Sequence, residues 1–181
     1  MRTPPRPARA AAVAAALASC LAVGLTAAPA PAAGAPAECT FDYNPELTPG
    51  LTMTPASGSV TSHGETGTVE CTGEVNGRQV TGPGTFGFEG TFGTKEKVSC
   101  TSGGAGEGSV RLTVPTAAGP QHVKDSVAYA FGPAAGDLPL VGGWHGTRTT
   151  GRFVVLPTKG DCVTAPVQQL RGQGRFTISG Y

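Results

Sequence analysis

This 181-residue sequence is short of charge, of histidine and of helix-forming stretches, and each shortage removes a class of answers. Charged side chains make up 14% of it, where an average soluble domain has about 25%. They are nearly balanced, 13 basic against 12 acidic, which excludes the basic stripe of a nucleic-acid binder. Only three histidines occur, His63, His122 and His145. There is no C-x-x-C pair, EF-hand loop, phosphate-binding glycine loop, G-x-S-x-G elbow or N-x-S/T site. After the N-terminal leader no apolar run is long enough to cross a bilayer. Nor does any stretch there free of Gly and Pro set apolar residues at helical spacing, so a helical domain is excluded as well.

What is present begins with an export signal. Arg2, Arg6 and Arg9 precede an uncharged Ala-, Leu- and Val-rich stretch from Ala10 to Ala28, followed by Pro/Ala residues with A-x-A sites. This is the layout of a secretory signal peptide. We place the leader at 1–37 and a single secreted domain at 38–181, which leaves 144 residues with ten basic and twelve acidic side chains. Leu17-Ala18-Ser19-Cys20 also fits a bacterial lipobox, so a lipid anchor through Cys20 is the alternative to free secretion. The apolar run from Leu21 to Leu25 continues past Cys20, where a lipoprotein would turn polar, and this favours free secretion.

Glycine and proline are abundant in the remaining 144 residues, 26 and 10, which raises the question of disorder. Regular alternation of Val, Phe, Leu and Ile answers it, because a disordered chain shows none. Val69 to Val75, then Asn76-Gly77, then Arg78 to Thr81 reads as a hairpin on a type I′ turn. Its register would pair Val75 with Arg78, Glu74 with Gln79, Gly73 with Val80 and Thr72 with Thr81, putting Val69, Cys71, Val75 and Val80 inside. The parity continues through Phe86, Phe88 and Phe92, which we expect to form the main core wall with Val80, Val110, Leu112 and Val114. Alternation recurs in Val98 and Cys100, in Val123, Val127, Tyr129 and Phe131, in Leu138, Leu140 and Trp144, and in Phe176 and Ile178. Phe153-Val154-Val155-Leu156 is apolar on both parities, as expected of a strand covered on both faces. About eight to ten short strands at this spacing predict an all-β fold, a single antiparallel β-barrel, with a β-sandwich as the alternative.

Four cysteines follow the leader, Cys39, Cys71, Cys100 and Cys162, and an even number in an exported chain predicts two disulfides. Three connectivities are open, of which we favour Cys39 with Cys71 and Cys100 with Cys162. Spacings of about thirty to sixty residues do not gather four soft ligands, so no metal site is expected, and no cofactor.

Candidate site residues are few. Trp144-His145 lies between glycines that would let a ligand approach, though alternation sends the two side chains to opposite faces; a core tryptophan beside a solvent-facing histidine is the plainer reading. A nucleophilic triad would have to combine His145, Asp161 and a serine such as Ser102 or Ser109, with no local signature to support it. Asp125 shares the inward parity of Val123 and Val127, and one convergent polar group inside an apolar barrel could orient a small ligand. The plainer reading is that the strand starts after Ser126 and Lys124-Asp125 is a loop. Asp125, Trp144, His145 and Arg148 make up the candidate ligand-binding set.

The Ala/Pro-rich leader, the Cys39 to Gly50-Leu51-Thr52-Met53-Thr54-Pro55 opening and the Val-x-Cys-Thr hairpins resemble small secreted all-β proteins of high-GC actinobacteria. The resemblance implies an all-β fold and carries no activity and no functional residue. We therefore expect a monomeric, non-enzymatic extracellular protein that binds another protein or a small molecule. The alternatives are a small-ligand-binding barrel and a secreted hydrolase or isomerase with its site in the barrel mouth.

Overall fold

The computed structural model describes residues 36–62, 67–133 and 140–179. Residues 1–35, which hold Cys20 and nearly all of the leader, lie outside the described residues, as do His63 and Leu138. Twelve strands are present among them: β1 (Ala37–Tyr43), β2 (Glu46–Leu51), β3 (Gly58–Thr61), β4 (Gly67–Thr72), β5 (Glu74–Val75), β6 (Arg78–Gln79), β7 (Gly84–Phe92), β8 (Gly104–Val114), β9 (Gln121–Phe131), β10 (Leu140–Gly146), β11 (Thr149–Lys159) and β12 (Val167–Ile178). Eight of them, β1, β4 and β7 to β12, form a closed antiparallel ring in which β12 pairs back onto β1. The fold is thus a β-barrel and not a sandwich. Closure leaves no free edge in the ring.

The strip between β12 and β7 is filled by different strands at the two ends. Near one end β12 pairs with β1 through residues 172–178, and β4 joins β1 to the start of β7. Near the other end β12 pairs with β2 at Val167 and Gln169, and β3 joins β2 to the end of β7. The first end, where β1 starts and β12 finishes, is called here the floor; the second is the mouth.

Alternation sets the interior as expected. Phe86, Phe92, Val110, Leu112 and Val114 are buried, and Val80 and Phe88 are partly buried against them. Each β1 residue on the inward parity, Ala37, Cys39, Phe41 and Tyr43, is buried as well. Both disulfides have the favoured connectivity. Cys39 and Cys71 stand directly opposite each other on β1 and β4. Cys100 and Cys162 join the β7–β8 and β11–β12 connections at the mouth.

Four expectations are corrected. The Asn76-Gly77 turn forms, with φ of 53° and 69°, and pairs Glu74 with Gln79 and Val75 with Arg78. Beyond that a single bond follows, from Val80 N to Gly73 O at 3.1 Å, and the hairpin then ends, because Gly73 takes a φ of 92° and β4 turns away to pair with β1 and β7; Thr81 N donates to Pro115 O instead of Thr72. Val98 and Cys100 belong to no long strand: Val98 makes an isolated bridge to Ala56, and Val98, Ser99 and Cys100 are all buried in a loop. On β11 the inward residues are Phe153 and Val155, whereas Val154 and Leu156 are 38% and 41% exposed on the outer wall. Finally, β9 starts at Gln121, so Asp125 lies inside a strand and is buried, and the loop reading fails.

Candidate ligand-binding cavity

Asp125 points into the floor of the barrel, where the β10–β11 turn closes over it. Its carboxylate accepts five hydrogen bonds: from Thr147 N at 3.2 Å and Thr147 Oγ1 at 2.7 Å, from Arg148 N at 2.9 Å, and from Thr149 N at 2.7 Å and Thr149 Oγ1 at 2.9 Å. Burial works to raise the pKa of this group, but the hydrogen bonds from Thr147, Arg148 and Thr149 outweigh it and the net shift is downward. Gly146 is needed beside it, because a Cβ there would collide with the carboxylate. The Arg148 guanidinium reaches Asn76 Oδ1 at 2.6 Å and so ties this turn to the β5–β6 hairpin. Trp144 Nε1 donates to Thr149 Oγ1 at 3.2 Å. Asp125, Trp144 and Arg148 are therefore brought together, with the Asp125 carboxylate and Trp144 Nε1 bonded to the chain itself.

His145 is not part of it. It faces outward and shares a hydrogen bond of 3.0 Å with Thr150 Oγ1. Asp161 accepts from Val163, Thr164 and Ala165 within its own loop, and Ser102 bonds to Ser99, so no triad assembles. Among the described residues no three His, Cys, Asp or Glu side chains gather in a way that could hold a metal ion.

A cavity of about 80 Å³ lies on the mouth side of Trp144, and its wall is apolar throughout. The wall uses nine of the ten aromatic residues among the described ones, all but Phe176. Successive rings touch around it. Phe131 stacks on Tyr129, Tyr129 meets Phe88 edge to face, and Phe88 meets Tyr43, which meets Phe86. Phe86 stacks on Phe41, Phe41 leans on Trp144, and Trp144 stacks on Phe153. Such offset and edge-to-face pairs are the arrangements the ring quadrupole favours.

The two phenols on this wall keep their polar ends out of the cavity. Tyr43 donates to Phe88 O at 3.1 Å and Tyr129 to Thr91 O at 3.0 Å, both on β7. Burial pushes both hydroxyls well above the ordinary tyrosine range; for Tyr43 the neighbouring Tyr129 and Glu89 add to it. Both stay neutral at physiological pH. The lining thus offers no acid, base or nucleophile, and of the four candidate site residues only Trp144 touches it.

Sequence reasoning missed Phe131 and Phe153 as site residues, although each falls on the inward parity of its strand. The available signal was the glycine between them: Gly142 on β10 stands in register with Phe131 on one side and Phe153 on the other.

In comparisons with known proteins no family model matches this chain, and neither a curated protein nor a solved structure does. The cavity has to be read from its own chemistry. No helix among the described residues is long and apolar enough to cross a membrane. The outer wall of β12 carries Arg171, Gln173 and Arg175 on successive outward positions, where a strand in contact with lipid would be apolar.

Proposed function

We propose that this protein is an exported, non-enzymatic binding protein that holds a small apolar molecule in the mouth half of its barrel. The observation that carries this reading is the apolar, aromatic-lined cavity inside the barrel. An interaction module recognising only other proteins would have no use for that space, and filling it would add stability. A hydrolase or isomerase would need convergent polar groups, and the wall has none.

Trp144 is the chain's single tryptophan and lies on the cavity wall, so its emission reports occupancy directly. Titration with toluene or hexanol is expected to change that emission saturably. A ligand of seven heavy atoms gains about 5 kcal/mol, for a Kd on the order of 0.1–1 mM. Filling the cavity with Val155→Phe should weaken this binding at least tenfold. A titration that is linear in the wild-type protein, with no calorimetric signal, would overturn the reading.

The leader and the two disulfides support export as part of this proposal. We also propose that the mature chain starts slightly upstream of the expected 37/38 boundary. Ala37 is fully buried opposite Ile178, and Pro36 bridges to Glu74, so both residues belong to the barrel. N-terminal sequencing of protein from culture supernatant is expected to find a start at residues 33–36. A start at Glu38, or a diacylglyceryl mass on Cys20 in the membrane fraction, would contradict it.

A further inference from the structure

We propose that the outer wall of the barrel carries a binding site for a phosphate or sulfate group, at the patch formed by Thr150 and Arg152 on β11 with Arg175 and Thr177 on β12. The site lies outside the barrel and is independent of the cavity.

Register builds the patch. Arg152 stands directly opposite Arg175, and two residues toward the floor Thr150 stands opposite Thr177. All four are exposed, while the residues between them, Gly151 and Phe176, are buried. The four side chains therefore leave the same face of the sheet at the corners of a rectangle, about 5 Å across the strands and about 7 Å along them. They line one depression of the outer wall, together with Thr40, which stands opposite Arg175 on β1. Thr150 Oγ1 is held beside the patch by its hydrogen bond with His145 Nδ1.

Like charges directly opposite each other destabilise a sheet, and elsewhere the barrel relieves them. Arg111 on β8 and Lys124 on β9 are also opposed, and there Glu89 meets the Arg111 guanidinium at 2.8 Å. Arg171, two outward positions before Arg175, is likewise held by Asp42 at 2.6 Å. Arg152 has no such answer. Its neighbours on β10 are Val141, Gly143 and His145, those on β12 are Gln173, Arg175 and Thr177, and none is acidic. The acids that share the depression, Glu38 and Glu70, stand on β1 and β4, beyond β12 from Arg152. Glu38 is a diagonal neighbour of Arg175, so its approach would relieve Arg175 alone. Among the described residues neither the Arg152 nor the Arg175 side chain makes a hydrogen bond or an ion pair.

The donors then select the ligand. A guanidinium fork matches two oxygens of a carboxylate, sulfate or phosphate. A carboxylate has only two oxygens, so one fork satisfies it and the second arginine stays opposed. A tetrahedral oxyanion offers three or four oxygens, enough for both forks and for a hydroxyl of Thr150 or Thr177.

The test follows the arginine Nε–H resonances by NMR at pH 7 while sodium sulfate, phosphate or acetate replaces sodium chloride at constant ionic strength. Sulfate and phosphate are expected to shift Arg152 and Arg175 saturably, at least tenfold more tightly than acetate, with Arg111 and Arg171 unmoved. The tighter of the two names the group. Dextran sulfate at matched sulfate concentration separates the sources: tighter binding than the free ion identifies a group carried on a polymer, equal binding a free ion. Arg152→Gln and Arg175→Gln should each weaken sulfate binding at least fivefold, whereas Arg111→Gln leaves it unchanged. Without sulfate neither of the first two should unfold at a lower temperature than wild type, because each removes an opposed charge. Acetate as tight as sulfate, equal shifts at Arg111 and Arg171, or Arg152→Gln with unchanged affinity would reduce the patch to general counterion attraction and overturn the site. None of these outcomes bears on toluene binding in the cavity.

Discussion

Asp125→Ala is expected to destabilise the barrel by about 4 kcal/mol, measured as the shift in urea unfolding at pH 7. The estimate follows from what the substitution strands. Three backbone N–H groups and two threonine hydroxyls point at the carboxylate, and each buried donor left without a partner costs about 1–3 kcal/mol, with part recovered by water reaching the turn. That is a large share of a margin of about 5–15 kcal/mol. Asp125→Asn keeps the shape but turns an NH₂ group toward donors, and should cost about half as much.

The pH dependence of this difference identifies the charge as the agent. Asp125 has a depressed pKa in the folded state, so its contribution is complete above the unfolded value near 3.9 and is lost as pH falls through the folded value. The gap between wild type and Asp125→Asn should therefore be constant from about pH 7 to pH 5 and should narrow below about pH 4. Asp42 and Asp161, both also shifted downward, add to the acid limb of both proteins and cancel in the comparison. A gap that stays the same down to pH 3 would mean that the carboxylate is not the anchor of this turn.

How much of this was legible in the sequence differs from residue to residue for physical reasons. Alternation places side chains on one face of a strand, so the Phe86 wall and the all-β class follow from it directly. Cysteine pairing came out as favoured because Cys39 and Cys71 sit on strands that are ring neighbours, which leaves Cys100 and Cys162 to each other. Alternation is blind to what lies across the barrel. It could not show that the Asp125 carboxylate would meet the β10–β11 turn, a contact between residues more than twenty apart in the chain, and a lone acidic residue among apolar ones reads as a loop until its donors are known. It also treats every inward aromatic as core. Phe86 and Phe88 have the same parity, and only the closed ring shows that both border the cavity, Phe86 almost fully buried and Phe88 only partly. The apolar outward residues Val154 and Leu156 mark the opposite failure, since apolarity on both parities predicts cover that the structure does not supply.

Phe86 and Phe88 give the other large effect, and the contrast between them tests the cavity as well as the core. Phe86 is 1% exposed, stacks on Phe41 at 4.4 Å and touches Tyr43, Trp144 and Phe176. Phe86→Ala should cost about 3–5 kcal/mol, through lost transfer energy and a hole that five neighbouring strands cannot close. Phe88 lines the same cavity nearer the mouth end of β7, but it is only partly buried and its ring meets just Tyr43 and Tyr129, so its loss removes less packed surface. Phe88→Ala should cost about half as much, while its effect on toluene binding exceeds that of Phe86→Ala at matched stability. Thr91, outward on the same strand, accepts from Tyr129 through its backbone carbonyl, which alanine retains, and loses only an exposed 3.5 Å bond from its hydroxyl to Glu107 O; Thr91→Ala should stay within about 0.5 kcal/mol of wild type. Equal costs for Phe86→Ala and Phe88→Ala, with no change in toluene binding for the latter, would show that Phe88 is packed in solution and that the mouth half of the barrel is filled.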